Sequence, residues 1–114
     1  MKPSDVLSLL GISQKARKIV SGQDSVERAI ISKRVFLIIL SEDSSDNTKK
    51  RFSAMARNRN IPVIVWGNAR DLGKSIGKEE RKVLGLTDRG LAYEVYRRLK
   101  SLTGVGDIEQ TESI

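Results

Sequence analysis

The chain contains no cysteine and no histidine. The first absence rules out disulfides and thiolate metal sites; the second also removes zinc sites and the commonest acid–base catalyst. Aromatic residues make up only 4% of the sequence, with no spaced aromatic pair on one strand-like segment, which argues against a stacking platform on a sheet face. Long apolar runs are missing too. The longest, Val35 to Leu40, falls far short of the roughly 20 residues that cross a bilayer, so no membrane partner is expected. No nucleophile–base constellation or Gly-rich phosphate loop is present, and the chain reads as a non-enzyme without cofactor or metal. The N-terminal MKPSDVLSLLGISQ has one Lys and an interrupted apolar stretch without a small-residue cleavage site. It reads as a helix rather than an export signal, and a cytoplasmic protein is expected.

What the chain has is positive charge. Lys and Arg number 21 against 14 Asp and Glu, a net charge of +7. Residues 105–114 hold Asp107, Glu109 and Glu112 and no basic residue, so the body up to Gly104 carries 21 basic against 11 acidic residues, or +10. A basic body of this kind favours nucleic acid as partner, through phosphate neutralisation and counterion release.

With 114 residues and 39% hydrophobic content, one small domain is expected over 1–102. Ser4 before Asp5 predicts a first helix with Val6, Leu7, Leu9 and Leu10 inward, loosened or ended by Gly11. Residues 18–21 read as a short strand, and 22–33 as a helix burying Val26, Ala29 and Ile30. VFLIIL (35–40) is apolar on both faces, as in a strand covered by helices on each side. A third helix is predicted from Asp46 to Asn58, a strand at IPVIVW (61–66), and a short helix stopped at Gly77. VLGLT (83–87) is a last strand, and Asp88 caps a final helix burying Leu91, Ala92, Val95 and Leu99. This alternation predicts an α/β fold: a three-layer α/β/α sandwich around a mixed sheet of about four strands. Residues 103–114 lack periodicity and read as a disordered acidic tail.

The stretch KARKIVSGQDSVERAIISKR (15–34) is the most informative for function. Lys15, Arg17 and Lys18 lead into Ser21-Gly22, which opens a helix carrying Arg28 and closing on Lys33-Arg34. Ser21 followed by Asp24 is capping-box-like, so free backbone donors are expected near residues 22 to 25, with no Gly22 side chain to keep a ligand away. The sequence leaves two readings of Gly22 open, a simple turn residue or a close-approach point. Asp24 likewise can be a cap, a partner of Arg28 at i,i+4, or a ligand contact. Donors at a helix tip flanked by cations suit a polyanion with readable edges, and structured RNA is the expected partner.

Other clusters have simpler readings. Lys49, Lys50, Arg51, Arg57 and Arg59 read as a solvated face, and Ser41, Glu42, Asp43 and Asp46 as acidic helix capping rather than a metal site. Trp66, at the end of an apolar strand, reads as rim packing.

The segments ARKIVSGQDSVERAI, LIILSEDSSDNTKKRF, IPVIVWG and LGKSIGKEERKVLGLTDRGLA, in this order, strongly resemble the bacterial YlxQ-like proteins. These belong to the superfamily of kink-turn-binding ribosomal proteins. The resemblance spans roughly residues 3–102; KIVSG, SEDxSxNTKK and LGxxIGKE together make it specific. It implies an α/β/α sandwich without catalytic activity that binds RNA at the helix beginning with Gly22 and at the loop before the last strand.

The kink-turn readers carry Gly-x-Asn-Glu-x-x-Lys at that helix start. Gly22 matches the Gly and Arg28 the Lys, while Asp24 stands at the Asn position and Ser25 at the Glu position, beside Gln23. Asn and Glu contact guanines of sheared G·A pairs in the family's best-known members; Asp24 keeps an acceptor but loses the amide donor. Where those readers place apolar residues in the last loop, this chain has Glu79, Glu80, Arg81 and Lys82. The resemblance therefore implies RNA binding, to ribosomal or other translation-related RNA, and leaves kink-turn specificity open. A monomer is expected. The alternatives are a protein–protein adaptor or a trans-acting accessory to RNA modification.

Overall fold

A computed structural model describes residues 2–103. The acidic segment read as a tail lies outside these residues, apart from Thr103, which closes the last helix. The elements run α1 (Pro3–Lys15), β1 (Ile19–Ser21), α2 (Gln23–Ile31), β2 (Leu37–Leu40), α3 (Asp46–Arg57), β3 (Val63–Val65), α4 (Ala69–Ser75), β4 (Val83–Leu86) and α5 (Arg89–Thr103).

The four strands form a mixed sheet in the order β1-β4-β2-β3, with β2 and β3 parallel and the other pairs antiparallel. Side chains alternate across β2, so Leu37 and Ile39 enter one core while Ile38 and Leu40 enter the other. The first core packs against Val6, Leu9 and Leu10 of α1, Leu72 of α4 and Val95 and Leu99 of α5. The second packs against Val26, Ala29 and Ile30 of α2 and Phe52 and Ala56 of α3. This is the three-layer sandwich, and β2 is buried on both faces because helices cover both. Each fully buried Leu, Ile or Phe contributes about 1.5–3 kcal/mol.

Two expectations about α1 are corrected. The helix begins at Pro3, not after Ser4; Lys2 is the N-cap and its backbone N–H donates to Asp5 Oδ2 at 2.9 Å. It also runs through Gly11 rather than loosening there. A Cβ on Gly11 would lie 2.9 Å from the Ser75 carbonyl oxygen, so the glycine lets α1 approach α4.

Strand directions give the sheet two distinct ends. Gly22 N–H donates to the Val83 carbonyl (2.9 Å) and Ser41 N–H to that of Lys82 (2.9 Å). These residues mark the Gly22 end, where α2, α3 and α4 begin. At the other, the Phe36 end, Thr87 N–H donates to the Lys18 carbonyl (2.8 Å) and Phe36 N–H to that of Leu86 (2.8 Å). There α1, α2 and α3 finish.

All three finish in the same way. Arg17 (φ 59), Lys33 (φ 61) and Asn60 (φ 56) are left-handed, and no other non-glycine among the described residues has positive φ. In each case two successive N–H groups fold back on the last turn, as Lys33 does to Ile30 O and Arg34 to Ala29 O, both at 3.0 Å. Glycine usually fills this position. An L-residue there costs about 1–2 kcal/mol.

Candidate nucleic-acid interface

At the Gly22 end the chain leaves β1 and turns sharply into α2. Gly22 has φ 89 and ψ 153, a conformation essentially closed to residues with a Cβ. Its carbonyl accepts the first intrahelical bond, from Val26 N–H at 3.0 Å. Gly22 is thus the N-cap, and it offers no side chain to the helix. The N–H groups of Gln23, Asp24 and Ser25 belong to the first turn, which has no intrahelical acceptors for them. Asp24 lies in that turn, exposed, where its charge suits the positive helix end.

The predicted capping by Ser21 is overturned. Gly22's backbone leaves Ser21 as the last residue of β1, and its Oγ accepts from Arg81 Nε at 3.1 Å instead. Nor does Arg28 pair with Asp24: its Nη2 reaches Ser25 Oγ, at a long 3.4 Å.

The second wall is the loop from Lys78 to Lys82, set down on α4 by Gly73. A Cβ on Gly73 would lie 1.7 Å from the Glu79 carbonyl oxygen, so the loop backbone rests directly on the helix. Lys78 N–H donates to Gly73 O at 2.9 Å and Arg81 N–H to Ala69 O at 3.0 Å. The Arg81 side chain is fixed by Ser21 Oγ and, through Nη1, by the Glu80 carbonyl at 3.0 Å. Lys82 is exposed beside it.

These walls bound an open groove of about 370 Å³ lined by Ser21 to Ser25 and by Glu80, Arg81 and Lys82. Backbone donors and two cations share it with the Asp24 and Glu80 carboxylates. A bare phosphate would meet the carboxylates unfavourably. A nucleic acid offers phosphates to the cations and amino groups on base edges to the acceptors.

Of the residues expected to bind RNA, Gly22, Gln23, Asp24, Ser25, Arg81 and Lys82 therefore meet in one groove, with Arg28 on the same helix one turn on. Lys15, Arg17, Lys18, Lys33 and Arg34 do not converge there, contrary to expectation. β1 separates Lys15 to Lys18 from Gly22. The nine residues of α2 hold Lys33 and Arg34 about 14 Å beyond its tip. Chain proximity became separation because a strand and a helix each carry the chain the length of the sheet.

The α2 tip is braced from α3. Arg51, read from the sequence as solvated, donates from Nη1 to Gln23 Oε1 at 3.1 Å and pairs through Nη2 with Glu27. Of the acidic residues after β2, Asp43 accepts the Ala69 N–H at 3.0 Å, holding the start of α4. The Ser41 hydroxyl, with that N–H, holds its carboxyl below the ordinary 3.8. Ser45 caps α3 by accepting from Thr48 N–H at 3.1 Å. Trp66 packs half-buried against the first core. Sequence reasoning missed Ser21 as the anchor of Arg81 and Gly73 as the seat of the loop. The pair Gly73 and Gly77, bracketing the end of a short helix, was the available sign of close packing.

Residues 4–95 match the model of the ribosomal protein L7Ae/L30e/S12e/Gadd45 family. Among curated proteins, RNA-binding protein YlxQ of Bacillus subtilis (strain 168) is 42% identical over 87 residues, covering 76% of this chain and 87% of that protein. RNA-binding protein YlxQ of Enterococcus faecium is 27% identical over 86 residues, 75% of this chain and 82% of that protein. Among solved structures, a protein of unknown function from Bacillus halodurans superposes with a TM-score of 0.78 at 39% identity, covering 81% of this chain and 93% of that one. A Giardia lamblia 15.5kD RNA binding protein gives a TM-score of 0.72 at 15% identity over 87% of this chain and 88% of its own, a likeness of fold alone.

Proposed function

Because this chain belongs to the ribosomal protein L7Ae/L30e/S12e/Gadd45 family, we propose that it binds structured RNA, without catalysis, in the groove between the α2 tip and the loop before β4. The observation that carries this is the meeting of two segments over 50 residues apart in one groove, with uncapped helix donors on one wall and Arg81 and Lys82 on the other. The relatives named RNA-binding protein YlxQ support the same reading. The RNA is a kink-turn or internal loop of ribosomal or translation-related origin, met in the cytoplasm by a monomer. Arg81 and Lys82 neutralise phosphate, the tip donors fix the backbone, and Asp24 accepts from a guanine amino edge.

The test compares a kink-turn RNA with a plain duplex of equal length. Affinity for the kink-turn should fall linearly on log–log axes with salt, by about 0.7–0.9 per phosphate neutralised. Asp24→Asn with Ser25→Glu should sharpen the preference for the kink-turn, by about 1–3 kcal/mol for each base edge newly hydrogen-bonded. A flat salt response would overturn RNA binding. A double variant that lost an existing preference would make Asp24 and Ser25 the base readers themselves.

A further inference from the structure

The Phe36 end carries a second concavity, of about 750 Å³, unrelated to the groove just described. Val35, Phe36 and Ile61 give it an apolar floor, and Lys33, Arg59 and Arg89, all exposed, stand around it. Arg17, Lys18 and Arg34 lie on the same end of the sheet. In the loops at this end, residues 16–18, 32–36, 58–62 and 87–89, Asp88 is the one acid. Its Oδ2 is engaged by the Leu91 N–H at 2.9 Å.

Cations near helix C-termini have a simple explanation, since they complement the negative helix end. Two observations go beyond it. Arg89 begins α5, so it sits at a helix N-terminus, where a cation is unfavourable. Lys33 and Arg17 occupy left-handed positions that glycine would fill without strain, and a lysine or arginine elsewhere in the turn would serve the dipole equally well. The charge is placed against local backbone preference at one end of the sheet, around an apolar hollow.

We infer that this hollow is a second RNA site, which takes an unstacked nucleotide of single-stranded RNA. The base covers Val35, Phe36 and Ile61, and the flanking phosphates meet Lys33, Arg59 and Arg89. Arg89 Cζ lies 5.2 Å from the centre of the Phe36 ring. Bases stack on aromatic rings and on guanidinium groups alike, so this pair offers a planar partner as well as charge. Arg59 Nη1 reaches the Met55 carbonyl at 3.3 Å, which anchors its side chain at the rim. The inference rests on the reading of the chain as an RNA binder but uses none of the residues of the first groove.

The experiment measures binding of fluorescein-labelled hexauridylate, and separately of a kink-turn hairpin, to the full chain. The variants are Lys33→Gly with Arg89→Gln, and Arg81→Gln with Lys82→Gln. Melting temperature is recorded for each. The first pair is expected to weaken hexauridylate binding at least tenfold, to change hairpin binding less than threefold, and not to lower the melting temperature. The second pair is expected to do the reverse to the two RNAs. Native protein that binds the hairpin but not hexauridylate would overturn the second site and leave the first standing. Failure to bind either RNA would overturn both readings. A hexauridylate affinity untouched by Lys33→Gly with Arg89→Gln, or reduced only with a lower melting temperature, would overturn the site. Uridine monophosphate displacing the oligomer at equal concentration would assign the hollow to free nucleotides instead.

Discussion

The two ends of the sheet are built on opposite electrostatic plans. At the Gly22 end three helices begin, so backbone donors gather there, and the sequence answers with Asp24, Asp43 and Asp46 near those starts. At the Phe36 end three helices finish, and Arg17, Lys18, Lys33, Arg34 and Arg59 surround them with one acid among the loops. Helix polarity alone would make the first end the place for anions. Side-chain charge reverses that, leaving a nearly balanced groove at one end and a strongly cationic hollow at the other. A balanced groove discriminates, because each ligand group must find its own partner. A cationic hollow attracts nearly any strand. The molecule thus holds balanced charge and surplus positive charge a sheet's length apart.

Replacing Gly73 by Ala should have the largest effect on this contrast. The new Cβ would collide with the Glu79 carbonyl, so stability should fall by about 3 kcal/mol, the upper end of the usual overpacking range. Hairpin affinity at the Gly22 end should fall with it, while hexauridylate affinity per folded molecule is kept. Melting curves with both titrations decide this; a variant unchanged in all three would detach the loop from α4.

Next comes a glycine exchange run in opposite directions. Gly22→Ala forces a Cβ into a glycine-only conformation and should cost about 1–3 kcal/mol, although no atom lies within 4 Å of the new group. At the other end Lys33→Gly relieves about 1–2 kcal/mol of left-handed strain, offset by about 0.4–1 kcal/mol of added freedom in the unfolded chain. Denaturant midpoints should therefore move down for the first variant and slightly up for the second. The same sign for both would remove the asymmetry.

Salt should separate the ends more gently. Three rim cations predict a log–log slope near 2 for hexauridylate, at about 0.7 per phosphate. Arg81 and Lys82 predict a shallower slope for the hairpin, and equal slopes would erase the distinction.

The smallest effect is on acid stability. The Asp43 carboxyl titrates lower folded than its ordinary 3.8, so it stabilises the fold fully above that value and the contribution is lost as pH falls through the lowered one. Asp43→Asn should flatten the pH dependence of the melting temperature below about pH 4; an unchanged profile would remove the carboxylate from the hold on α4.

Much of this architecture was legible in the sequence because it depends on local pattern. The runs at Val35–Leu40 and Ile61–Trp66 announce buried strands, and the spacing of Val26, Ala29 and Ile30 announces a helix with one inward face. The Gly22 tip was legible as a helix start, and its partner loop through family resemblance. Strand direction was not. Nothing in KARKIVSG says that Arg17 and Lys18 share an end of the sheet with Arg34, since that follows from the antiparallel pairing of β4 with both β1 and β2. The positive φ of Gly22 was equally hidden, and with it the transfer of the cap from Ser21. The convergence of Lys33, Arg59 and Arg89 joins the ends of α2 and α3 to the start of α5, three places no single window of sequence connects.

The strand order carries one further consequence, for behaviour in concentrated solution. β1 and β3 are the outermost strands, and each is three residues long. An edge that short offers an incoming chain very few backbone hydrogen bonds, and short edge strands are one of the devices by which natural sheets resist joining end to end. With mutual repulsion from the basic body added, the sheet gives neighbouring copies little purchase for fibrous self-association.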